Sequence, residues 1–150
     1  MKSLSFFSLA ALTVAGHAIA SPASDNADTH FRAIGSGDVQ VLMRGYQDNA
    51  QLQWVGGPLD GSYLGKDAIR GVWEKFTGSQ GNLTVMVENV QESSNPKGST
   101  VTANLLFVGK MPIKVRYALV YRDNLLVSET WQIDPKLSIS AAPVAKTAAY

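Results

Sequence analysis

Between Ser99 and Asp134 three successive runs alternate apolar and polar residues, and a period of two sustained that long leaves little choice but neighbouring strands of one sheet. One face collects Val101, Ala103, Leu105 and Phe107 from the first run, then Ile113, Val115, Tyr117, Leu119 and Tyr121 from the second. The third run adds Leu125, Val127, Glu129, Trp131 and Ile133. Gly109 to Pro112 turns the chain between the first two runs, and Arg122-Asp123-Asn124 makes a tight turn before the third. A plain core face would hold Val and Leu throughout. Tyr117, Glu129 and Trp131 interrupt it with polar or amphipathic groups, which suits the lining of a pocket better than a filled interior.

The chain ahead of these runs has a different rhythm. Ser21 to Asn26 reads as a polar leader, and Ala27 to Ser36 carries Phe31 and Ile34 at helical spacing with Asp28 near its start. Gly35-Ser36-Gly37 ends that helix, and Asp38 caps a second over Val39 to Tyr46, with Val39, Leu42, Met43 and Tyr46 on one side. Gln51 to Val55 is a short strand and Leu59 to Leu64 a loop. Lys66 to Phe76 is the clearest helix, with Ile69, Val72, Trp73 and Phe76 on one stripe. Leu83 to Val90 is a strand and Glu92 to Gly98 a polar loop. Helices first and strands last argue for an α+β domain, with helices packed on one face of a curved, mostly antiparallel sheet.

Both ends are set apart from this domain, taken as residues 27–134. Lys2, the apolar run Leu4 to Ala15 and the small residues of Ala18-Ile19-Ala20 form a secretory signal, residues 1–20, with cleavage expected after Ala20. The run is well short of the ~20 apolar residues that a membrane span needs, so no membrane anchor is expected after cleavage. The protein is expected to be exported, to a periplasm or to the extracellular space. Pro135 to Tyr150, rich in Ala, Ser, Pro and Lys without period, reads as a disordered tail. Of 13 basic residues one, Lys2, lies in the signal, so the remainder balances the 12 acidic ones and offers no footprint for nucleic acid. The absence of cysteine excludes disulfides, thiol catalysis and thiolate metal sites.

Four segments, in order, carry a resemblance. They are Ala33-Ile34-Gly35-Ser36-Gly37-Asp38, Tyr46-Gln47-Asp48-Asn49-Ala50-Gln51-Leu52, Gly61-Ser62-Tyr63-Leu64-Gly65-Lys66-Asp67-Ala68-Ile69, and Val127-Ser128-Glu129-Thr130-Trp131. With their spacing, the chain from about residue 28 to 134 resembles the nuclear transport factor two-like superfamily, especially its SnoaL-like and ketosteroid-isomerase-like branches. The resemblance implies a cone of curved sheet closed by three N-terminal helices, a pocket inside it, and often a homodimer. Members include isomerases, cyclases, dehydratases and many proteins with no known reaction. Counting from Tyr46, the carboxylate base of the isomerase branch falls at Trp54, which has no proton to exchange at neutral pH. That branch's oxyanion-hole tyrosine falls near His30, and its second oxyanion donor near Tyr117.

Glu129 is the candidate acid or base, because apolar neighbours on its face would perturb a carboxyl group. His30, the histidine that remains once His17 leaves with the signal, could shuttle protons, and Tyr117 could donate to a carbonyl or oxyanion. A Glu129–His30 pair across the interior would form an acid/base couple. Trp54, Tyr117, Glu129 and Trp131 are the expected ligand-binding residues, while Trp73, on a regular helix stripe, reads as ordinary core. No cofactor and no metal site is expected. Three functions remain open: a protein that binds a small, largely apolar molecule without turnover, a proton-transfer enzyme using Glu129 or His30 as base, and a dimeric assembly module with a vestigial pocket. Tryptophan at the base position favours the first.

Overall fold

The three alternating runs lie side by side in a six-stranded sheet of order β2-β1-β6-β5-β4-β3, as shown by a computed structural model that describes residues 22–139. The expected signal sequence, its cleavage point and the chain beyond residue 139 lie outside the described residues. The elements are α1 (Pro22–Ser36), α2 (Val39–Arg44), β1 (Tyr46–Val55), β2 (Gly61–Leu64), α3 (Lys66–Gln80), β3 (Thr84–Asn95), β4 (Gly98–Val108), β5 (Pro112–Arg122) and β6 (Leu125–Ile133). All pairings are antiparallel except β1 with β6. The sheet is curved and open, α1 packs on β3 and β4, and α3 packs on β1 and β2. The architecture is the expected α+β cone.

Curvature has a local source. An irregularity in the β3–β4 pairing lies between Glu88 and Gln91, where Asn89 takes a positive φ of 53°. Another sits in the β5–β6 hairpin: Val120 faces Ser128 while Tyr121 faces Leu126, so β6 carries one extra residue. Bulges bend and over-twist a strand, which wraps the sheet around its helices. The second one corrects the sequence reading. Leu125 is exposed and Leu126 is buried at the strand's start, whereas Glu129 and Trp131 beyond the bulge keep the inward facing expected of them.

Other boundaries moved for reasons the tertiary contacts supply. The polar leader is the first part of α1: Ala23 and Ala27 are buried, Pro22 opens the helix, and Ser24 bonds Glu92 through N and Oγ at 3.1 and 2.5 Å. Helix α2 stops at Arg44, and Tyr46 begins β1 instead of completing the helix. Gly45 O then accepts from Leu126 N at 2.8 Å, tying the join to β6. Gly61–Leu64, expected as loop, is β2, hydrogen-bonded to β1. The expected loop Glu92 to Gly98 is mostly strand, because β3 and β4 pair as far as Asn95 and Gly98. The start of the expected tail is ordered too, with Leu137 2 % exposed and its N donating to Asp134 O at 3.0 Å.

Candidate functional site

Glu129 is fully buried near the middle of β6, where a lone carboxylate would be untenable without partners. The fold brings it donors from three other elements. His30 Nε2, from α1, lies 2.8 Å from Oε1. Tyr117, on the neighbouring strand β5, donates to Oε1 at 2.7 Å. Tyr46, at the start of β1, donates to Oε2, and its hydroxyl accepts from Trp73 Nε1 of α3 at 2.8 Å. Burial, and next the Glu129 charge, push the Tyr46 and Tyr117 phenols well above their ordinary value, so both keep their protons and donate. Since a carboxylate only accepts, His30 presents its Nε2–H to Oε1 in the arrangement that satisfies all three contacts. Tyr121 lies nearby, its phenol pushed up by burial and then by Glu129, and its buried hydroxyl has no hydrogen-bond partner among the described residues.

His30 and Glu129 are therefore hydrogen-bonded to each other, with Glu129 fully buried. Next to it on β6, Trp131 stands edge-on to Tyr117 and Trp73, with centroids at 5.5 and 5.6 Å. The same ring stacks on Trp54 at 4.4 Å and on Phe107 at 5.1 Å. Beyond this aromatic layer opens a cavity of about 830 Å³, walled mainly by apolar groups. Trp54, Trp131 and Ile133 come from the sheet, Phe76 from α3, and Leu59 and Pro58 from the loop before β2. The indole N–H groups of Trp54 and Trp131 are buried without hydrogen-bond partners among the described residues.

Of the residues expected to bind ligand, Trp54 and Trp131 line this cavity. Tyr117 and Glu129 do not, and neither does His30. Trp131 occupies the space between, which corrects the reading of a single pocket lined by all four. His30 instead borders a smaller cavity of about 290 Å³ at the other end of the β5–β6 hairpin, with Leu42 of α2, Tyr121 and Leu126. Two members of the network were missed. Tyr46, which helical spacing assigns to the second helix, begins β1 and shares parity with Ala50, Leu52 and Trp54, all of them buried. Trp73 is core, as expected, but its N–H does polar work that no spacing reveals.

No protein-family model and no curated protein sequence matches the chain. Solved structures do. An NTF2-like protein of unknown function from Pseudomonas putida superposes with a TM-score of 0.64 at 14% identity, covering 73% of this chain and 82% of its own. A candidate dehydratase from the NTF2-like family, from Streptomyces avermitilis, gives 0.64 at 13% identity, covering 75% of this chain and 93% of its own. A candidate calcium/calmodulin-dependent protein kinase II association domain from Xanthomonas campestris gives 0.64 at 15% identity, covering 90% of this chain and all of its own. At such identities the likeness shows the fold, and the fold is that of the nuclear transport factor two-like superfamily.

Proposed function

We propose that this chain is a binding protein that holds a small, largely apolar molecule in the larger cavity without transforming it. The observation that carries the reading is a separation. The groups able to exchange protons, Glu129, His30, Tyr46 and Tyr117, form one hydrogen-bonded group centred on Glu129 behind Trp131, while among the described residues the 830 Å³ cavity on its other side is lined by no Asp, Glu, His or Tyr. Its volume falls within the roughly 300–1,000 Å³ of small-molecule sites. The N-terminal run supports export, so the ligand would be met outside the cytoplasm.

A neutral fluorescent ligand tests this. N-phenyl-1-naphthylamine should saturate the protein near one equivalent, with energy transfer from the Trp54–Trp73–Trp131 cluster. Ile113→Phe, which fills space at the mouth, should weaken binding about tenfold, on the order of 1.4 kcal/mol. Non-saturating binding, or binding indifferent to Ile113→Phe, would refute the proposal.

A second reading rests on the smaller cavity. His30 borders it while bonding the buried Glu129, so one member of an acid/base pair reaches a space open to a small substrate. A candidate dehydratase among the structural neighbours supports proton-transfer chemistry there. On that reading Glu129→Gln abolishes turnover, whereas the binding reading leaves naphthylamine affinity intact in the same variant.

A further inference from the structure

The mouth of the larger cavity is charged in one sense only. Lys75 from α3, Lys110 from the β4–β5 turn and Lys114 from β5 line it, with no Asp or Glu among the described residues, in a chain whose 13 basic and 12 acidic residues nearly balance. None of the three lysines forms an ion pair among the described residues, whereas Arg32, Lys66 and Arg116 each pair with an aspartate. The acids flanking the mouth are engaged elsewhere. Asp60 Oδ1 accepts from Gly56 N at 2.6 Å, and Asp134 Oδ2 takes Arg116 Nε at 2.6 Å. Lys75 and Lys110 are exposed although they line the cavity. That is the behaviour of side chains with stems on an apolar wall and ammonium groups in water. The result is an aromatic interior under a cationic rim.

We propose that the ligand is an amphipathic anion, its apolar body seated on Leu59, Ile113 and Ile133 over the buried rings of Trp54, Trp131 and Phe76, and its single acidic head, carboxylate or sulfonate, held at the mouth by Lys75, Lys110 and Lys114. This rests on the binding reading above and narrows its ligand class. The rim also gives the site direction: the body enters first and the charge remains at the water boundary, where it need not be desolvated. Three lysines around a concave apolar opening are too few, and wrongly shaped, for a nucleic-acid backbone.

Two ligands that share an aromatic body and differ in charge separate the possibilities. Protein purified after expression of the whole chain is titrated with 1-anilinonaphthalene-8-sulfonate and with neutral N-phenyl-1-naphthylamine, following transfer from tryptophan. The anion should bind about tenfold more tightly at low salt, with most of that advantage gone in 0.5 M salt because rim charges are screened. The triple variant K75Q/K110Q/K114Q should lose the preference and keep its affinity for the neutral ligand, which also reports that it is folded. Equal affinity for the two ligands overturns the inference and leaves the binding reading standing. A preference that survives in the triple variant overturns the lysine assignment. Failure of both ligands to bind overturns the binding reading and this inference together.

Discussion

Glu129 holds its place because both of its carboxyl oxygens meet donors from other elements, and the neighbouring tyrosines can be told apart by what they do there. Tyr117 gives its proton to Oε1 at 2.7 Å, and Tyr46 gives its own to Oε2 while receiving the indole of Trp73. Tyr121 has a buried hydroxyl with no partner among the described residues. Tyr117→Phe and Tyr46→Phe should each cost about 1.5–3 kcal/mol, the usual worth of a hydrogen bond to a charged group. Tyr121→Phe should be neutral or stabilise by up to about 1 kcal/mol, because it removes a hydroxyl that burial penalises. Urea unfolding of the three variants checks this, and a Tyr121→Phe loss matching that of Tyr117→Phe would contradict the network. The sequence revealed Glu129, Tyr117 and His30 as candidates, since parity and helical spacing point them inward. It could not show that they satisfy one another, because hydrogen bonds join residues 99, 83 and 12 positions apart.

Helix α1 lies so close to β3 that a glycine decides the approach. A Cβ on Gly35 would sit 2.4 Å from Val85 Cγ2 and 3.0 Å from Leu83 O. Gly35→Ala should therefore push the helix off the sheet and cost about 1–3 kcal/mol, as overpacking does. Gly71, inside α3, has nothing within 4 Å of the same position. Gly71→Ala should stabilise by up to about 1 kcal/mol through helix propensity alone. Thermal melts of the pair give the test, and equal effects of one sign would refute the packing account. Element type was legible wherever one face is apolar, as in α3 and β4 to β6. It failed for β2 and for the far end of β3, where strands are mostly polar and are held by backbone pairing with a neighbour. It failed at β6's start because a one-residue bulge reverses facing without leaving any mark in the alternation.

For the molecule as a whole, three buried phenols link folding to alkaline pH. Tyr46, Tyr117 and Tyr121 all titrate higher folded than unfolded, so above the ordinary value near 10.0 the unfolded chain sheds protons that the folded chain retains. Their stabilisation is complete below that pH and is lost as pH rises toward the folded values, at up to about 1.4 kcal/mol per pH unit for each tyrosine. Unfolding midpoints should fall only slightly from pH 9 to 10 and steeply from 10 to 11, and Tyr121→Phe should make the fall shallower by about a third. A flat profile, or one unchanged in the variant, would count against it. By itself the sequence determined the α+β class, the inward face of the long strands and the residue types able to carry chemistry, because periodicity and side-chain character are local. Only the tertiary structure decided that Trp131 divides the interior, leaving Glu129 and its hydrogen-bond partners on one side and the larger cavity under a lysine rim on the other. That division depends on how large rings from β1, β6 and α3 fill a shared volume, and packing in three dimensions has no counterpart in spacing along the chain.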